Sequence, residues 1–327
     1  AGRNTTIEVL DDSTYEETLR IANDQQLRGL KLIAKHGATL RAPGAGEVSG
    51  TRVLDIRDVS EVVVSGFKIE TPAAGHAIYV GGSASAITID GVTCTQAPNG
   101  RFACIQIFVS GKAGRDQPIC IRDSTIDSSG TGQCVWIHGH PDPCGSIQLT
   151  GNRFIGAGTQ VALWGEASGT FREVVLAGNI FQNGTSGINL TFEHTLADTR
   201  IQVTNNSFMG TEFWLGIAPA LVNRPIATIC NNLILGSRQI QADGLELSTA
   251  LQHWTFRSNW WERGSLTEMN ADLTGRLAEM HQSIPLLSRD PRDPNFLVPP
   301  QGSPLWTAGC GADLPGHVGA KGPAVNN

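Results

Sequence analysis

Two stretches decide the reading: Arg172-EVVLAGNIFQ and Thr199-RIQVTNNSFM. Laid over each other, Leu176 falls on Val203 and Asn179 on Asn206, 27 residues apart. Each is a short alternating strand, a turn with Asn or Gly, and a second apolar segment. The same unit extends in both directions as Ser60-EVVVSGFKIE, Ser85-AITIDGVTCT, Gln117-PICIRDSTID, Gly145-SIQLTGNRFI, Pro225-IATICNNLIL and Gln252-HWTFRSNWWE. The central apolar residues, Val64, Ile89, Ile121, Leu149, Leu176, Val203, Ile229 and Phe256, follow one another at 25, 32, 28, 27, 27, 26 and 27 residues. A period of this length is one coil of a solenoid.

Three residues beyond each of the last five anchors stands an asparagine: Asn152, Asn179, Asn206, Asn232 and Asn259. Asn tolerates left-handed or bridging turn conformations, and stacked copies can hydrogen-bond to one another and to the backbone. A structural asparagine column is therefore expected. A further strand precedes each unit, with Ile56, Val80, Ile107, Ile137, Leu163, Leu190, Ile217 and Leu247 inward by alternation. The fold class is all-β: one right-handed parallel β-helix of about nine coils, the first supplied by Leu30-KLIAKHGATLRAPG. Open sheet ends aggregate unless covered. Ser13-TYE reads as a capping box that opens an amphipathic helix through about Leu27, stopped by Gly29. Thr267 to Gln282 reads as a second helix with Leu273, Leu277 and Met280 buried, followed by a Pro-rich tail. The division is thus an N-terminal cap over 1–29, the β-helix over 30–264, and a C-terminal helix and tail over 265–327, all in one structural domain.

Composition removes several classes of function. The net charge of −6 and five scattered lysines oppose nucleic acid, which needs clustered cations. No run of roughly 18 apolar residues crosses a membrane, and the first residues lack the charged and apolar blocks of a signal peptide. Seven cysteines without a C-x-x-C pair give no zinc or iron–sulfur spacing and are read chiefly as small buried hydrophobes, with disulfides as the alternative. No acidic cluster has Ca²⁺-binding geometry; Asp55, Asp58 and Glu61 come nearest, and Ca²⁺ is the one cofactor left open. The sequons at Asn4, Asn183, Asn189 and Asn205 carry weight only in a eukaryotic secretory host.

The coil pattern, the asparagine column and the tail Phe296-LVPPQGSPLWTAG with Gly316-HVGA resemble the pectate-lyase-like β-helix superfamily of secreted bacterial proteins, over roughly residues 28 to 320. The resemblance implies an extracytoplasmic protein that holds a polysaccharide or oligosaccharide on the outer face of one sheet. It leaves open a glycan hydrolase or lyase and, alternatively, a non-catalytic binding or sensory module of a larger bacterial protein such as a membrane kinase. On that face, Tyr79, Phe108, Trp136 and Trp164 are expected to line a sugar platform beside Arg57. His140, Glu166 and Glu193 share one offset from the inner anchors. Two carboxyls one coil apart would lie about 5 Å from each other, the separation of a retaining glycosidase pair, with His138 and His194 near enough to carry protons. The paired aspartates, Gly-His-Gly and Arg-x-Lys segments of polygalacturonase-like hydrolases are not matched, and only His138-GH echoes them. For elimination from a uronate, Lys112 and Arg115 would supply base and neutralising cation, with Arg57 or Arg101 in support.

Overall fold

A computed structural model describes residues 3–22, 24–43, 50–71, 74–97, 100, 102–110, 117–128, 132–138, 144–164, 171–192, 199–217, 226–235, 240–243, 254–262, 279–281, 286–290, 292–293, 296–303 and 305; at some strand positions, Trp164 among them, it describes the backbone alone. The chain winds into a parallel β-solenoid of three sheets with ten, eleven and nine strands. One coil, for example, runs through Ile119–Arg122 in the first sheet, Thr125–Ser128 in the second and Val135–His138 in the third. The eight anchors stack in one register, Val64 on Ile89, Ile121, Leu149, Leu176, Val203, Ile229 and Phe256. Their alternation with polar neighbours closes an apolar interior in which the first six are 0% exposed.

The coil count and the N-terminal cap differ from expectation. The sheet of ten strands exceeds nine coils because the segment read as a capping helix is itself a coil, and the sheet of eleven gains one more strand, Glu279–His281, at its other end. Thr6–Val9, Thr14–Glu16 and Leu19–Ala22 are strands, pairing with Lys31–Ala34, Thr39–Arg41 and Thr51–Arg57. Among the described residues of this segment, Asp24–Leu27 alone is helical. The Ser-x-x-Glu pattern at Ser13 fits a capping box, yet Tyr15 and Leu19 each have an apolar partner waiting in the next coil, Leu40 and Leu54, and sheet pairing wins. At the other end, Glu279–His281 is a strand against Trp260–Glu262, so Met280 lies in a sheet; Leu273 and Leu277 fall outside the described residues. Described tail residues Phe296, Leu297 and Leu305 cover the outer face of the second sheet at Leu233, Leu235 and Trp260, and Arg289 pairs with Glu262 at 2.6 and 2.8 Å.

The asparagine column is continuous and buried. Asn206 is typical: its backbone N–H and Nδ2 donate to Asn232 Oδ1 at 2.9 and 3.1 Å, and Nδ2 also donates to the Leu176 carbonyl at 2.8 Å. Asn152, Asn179 and Asn232 repeat the pattern with the next asparagine along, and Asn259 donates to the Ile229 carbonyl. The left-handed turn residue is the one before, namely Gly66, Gly91, Asp123, Gly151, Gly178, Asn205, Asn231 or Ser258, all with φ between 50° and 75°. At Gly66 a side chain would also strike the Ala34 carbonyl. The turn thus separates the two tasks: one residue bends the chain and the next ties coil to coil. Behind the ladder, Phe154, Phe181 and Phe208 stack at 5.1 and 4.7 Å.

Candidate functional site

The third sheet presents two outward registers. One reads Arg20, Asp55, Tyr79, Gln106, Trp136, Ala162 and Asn189; the next reads Ala22, Arg57, Gly81, Phe108, His138, Trp164 and Thr191. The inner partners Ile56, Val80, Ile107, Ile137 and Leu163 are buried as alternation requires, which fixes the outward direction of their neighbours. Leu190 is described in its backbone only, and so is Ile217, while Leu247 lies outside the described residues.

Two groups form on this face. In the first, Tyr79 is only 7% exposed, folded over the bare backbone of Gly81 where any side chain would collide with its ring. Two guanidiniums lie over that ring, Arg52 at 3.8 Å and Arg57 at 4.7 Å from its centroid. Arg57 also donates Nε to Asp55 Oδ1 at 2.6 Å, and Arg52 stands 3.9 Å from the same carboxylate. Burial raises the pKa of Asp55, against the pull of Arg52 and Arg20, and burial likewise raises the Tyr79 phenol. Tyr79 is therefore a support for arginines rather than the open platform expected of it.

In the second group Trp136 and His138 are half-buried with ring centroids 4.0 Å apart, and Phe108 meets His138 edge-on at 5.5 Å. Phe108 is 38% exposed, and the buried Trp136 Nε1 has no hydrogen-bond partner among the described residues. Register sets Trp164 one coil beyond His138. The row of Arg57 is three coils from that of His138, about 14 Å along the solenoid. The face thus offers a cationic end and an aromatic end to an extended ligand.

Of the expected site residues, Arg57, Tyr79, Phe108, Trp136 and His138 share this face and Trp164 shares its register. Glu166, Glu193, His140, His194, Lys112, Arg115 and Arg101 lie outside the described residues. Arg52 was not legible as a site residue. Val53 and Leu54 are both fully buried, so strict alternation fails there, and Arg52 reaches Tyr79 past the break. The three carboxylates nearest to a calcium pattern diverge: Asp55 turns to Arg57, Asp58 accepts the Ser83 N–H at 2.9 Å, and Glu61 pairs with Arg28. Among the described residues no three His, Cys, Asp or Glu side chains group as metal ligands.

No protein-family model matches the chain, and no curated protein does. A search of solved structures finds pectate lyase Pel9A, with a TM-score of 0.53 and 10% sequence identity over 98% of this chain and 86% of that one. The fold is pectate-lyase-like. At that identity the likeness extends to the winding of the chain and its stacked sheets, while the side chains on the third sheet belong to this sequence alone.

Proposed function

We propose that the chain is an extracytoplasmic polysaccharide-binding β-helix protein that lays an acidic glycan along the outer face of its third sheet. The observation that carries this reading is the pairing on one face of the Phe108, Trp136 and His138 cluster with the guanidiniums of Arg52 and Arg57. Sugar rings stack on aromatic faces, and guanidiniums hold carboxylates or sulfates. If turnover accompanies binding, Glu166 and Glu193 act as acid and as nucleophile or base, with His138 and His140 as proton carriers. Lys112 and Arg115 are the corresponding pair for elimination.

The test is a panel of neutral and acidic polysaccharides, titrated calorimetrically against the wild type, Phe108→Ala with Trp136→Ala, and Arg57→Ala. The double variant is expected to lose about tenfold in affinity, about 1.4 kcal/mol. Arg57→Ala should reduce the preference for acidic polymers. Thermal midpoints should hold within a few degrees; a collapse of stability with binding intact would make the cluster core rather than site. Glu166→Gln and Glu193→Gln, assayed for reducing ends and for unsaturated product, separate hydrolysis from elimination. Turnover unchanged in both variants rejects the carboxyl pair.

A further inference from the structure

The cationic end of the third sheet contains an anion of its own. Asp55 stands on Thr51–Arg57 in register with Arg20 on one side and Tyr79 on the other, and its side chain is only 15% exposed. Its Oδ1 accepts the Arg57 Nε–H at 2.6 Å, while its Oδ2 stays 3.9 Å from Arg52 Nη1, too far for a hydrogen bond. One carboxylate thus engages one guanidinium and leaves the other incomplete: Arg52 Nε is buried with no hydrogen-bond partner among the described residues. Both guanidiniums have a second anchor in the Tyr79 ring, so neither depends on Asp55 alone for its place.

The surroundings of Asp55 make its charge easy to lose. Arg52 and Arg57 share its strand, and Asp58 follows in the turn; Arg20 faces it from Leu19–Ala22; Tyr79 faces it from Gly75–Gly82, where His76 lies opposite Arg52. Asp58 is engaged elsewhere, accepting the Ser83 N–H at 2.9 Å and the Ser83 hydroxyl at 3.2 Å. Burial raises the pKa of Asp55 and the charge of Asp58 adds to this, while Arg52 and Arg20 oppose it. A glycan carboxylate or sulfate that reaches the Arg57 fork competes with Asp55 for the same donors. A carboxylate this little exposed takes up a proton once that pair is broken, because an unpaired buried charge is the costlier state.

We infer that Asp55 is an internal competitor for the acidic groups of the glycan: it occupies Arg57 in the empty protein, gives way to a carboxylate or sulfate, and thereby couples glycan binding to the uptake of a proton. The inference rests on the glycan-binding reading of the third sheet and adds the regulation of that site. Affinity for a permanently charged polymer rises as the medium acidifies and falls as it is neutralised, whereas a neutral polymer has no group to displace Asp55.

The probe is dextran sulfate, whose ester groups stay charged in acid, with unsulfated dextran as the neutral comparison. Both are titrated calorimetrically into the full chain in steps from about pH 7 to about pH 4.5. Asp55→Asn keeps the shape without the charge and should bind dextran sulfate about tenfold more tightly than the wild type at the neutral end, the advantage shrinking toward none with acid. Other titrating groups are common to both proteins, so the ratio of the two affinities reports Asp55. Asp90→Asn removes the partner of Arg122 on the first sheet and changes the net charge equally, and it should leave the affinity as it is. Wild-type titrations below about pH 6, in buffers of different ionisation enthalpy, should show proton uptake on binding that Asp55→Asn reduces. Equal or weaker binding by Asp55→Asn, while Phe108→Ala with Trp136→Ala still loses affinity, makes Asp55 a ligand contact or a prop for Arg57 and overturns the inference with the glycan reading intact. An equal gain in Asp90→Asn, or binding by the wild type without proton uptake, overturns it as well. If neither the wild type nor Asp55→Asn binds the polymer at any pH, the glycan reading falls and the inference with it.

Discussion

At the corner between the first and second sheets, the early coils and the late coils fill the same position with opposite chemistry. Up to residue 92 the corner holds Ala38, Phe67 and Val92; from residue 152 it holds the five asparagines. The neighbouring inward position changes in compensation. Ile69, Cys94 and Ile126 occupy it early, and Phe154, Phe181 and Phe208 occupy it late. A solenoid corner can thus be apolar or amide-filled, but the amide version demands neighbours, because each Oδ1 takes both donors of the preceding rung. The late coils derive their cohesion from repetition, the early coils from ordinary packing.

The largest difference should appear in the stacked column. Phe181 is fully buried between Phe154 and Phe208, so Phe181→Ala should cost about 3–5 kcal/mol, whereas Cys94→Ala at the equivalent early position should cost about 1 kcal/mol. Solenoids need not unfold in one step, so the loss is best read by native-state hydrogen exchange coil by coil. Similar losses at the two positions would remove the contrast.

Next in size is the ladder. Asn206→Leu keeps the branched shape but orphans the Leu176 carbonyl and the donors of Asn179, and about 2–4 kcal/mol should be lost. Ser124 marks where the ladder ends: its N–H donates to Asn152 Oδ1, and its hydroxyl accepts the Val92 N–H while donating to the Arg122 carbonyl. Ser124→Ala should cost about 1–2 kcal/mol, and Ser124→Asn should restore it by adding a rung. If Ser124→Asn is as damaging as Ser124→Ala in urea titration, the corner is not interchangeable and the contrast is fixed by backbone shape.

The late coils were legible in the sequence for the reason that makes them cohesive. A ladder needs the same residue at the same offset in each coil, so Asn179 and Asn206 announce one another. The first coil was not legible, because Ser13 and Glu16 satisfy a local helix signal while the competing information, that Tyr15 belongs over Leu40, lies 25 residues away. The site was half legible. Alternation turned Phe108, Trp136 and His138 outward correctly, but it could not show that Gly81 leaves room for Tyr79 to lie down beneath Arg52 and Arg57. A glycine two residues after an outward aromatic was the available signal.

The smallest predicted effect concerns protons. The late corner is buried amide, which does not titrate, whereas the early coils bury His76, whose Nδ1–H donates to the Ala103 carbonyl at 2.7 Å and whose ring meets Phe102 edge-on. Burial lowers its pKa, and Arg52 adds to that, while the bond to Ala103 opposes it. The imidazole is therefore protonated more readily in the unfolded chain. As pH falls below the unfolded value of about 6.5, the unfolded state gains a proton that the folded state resists, and stability is lost until the folded pKa is reached. Asp55 works in the opposite sense and at lower pH: with its folded pKa raised, it takes up a proton first in the folded chain and favours folding as acid increases. His76→Gln should flatten the stability profile below about pH 6.5. Exchange protection should recover in the early coils and stay unchanged from Asn152 onward. An acid response shared equally by both halves would mean that the solenoid titrates as one unit, and that its two kinds of corner do not divide it energetically.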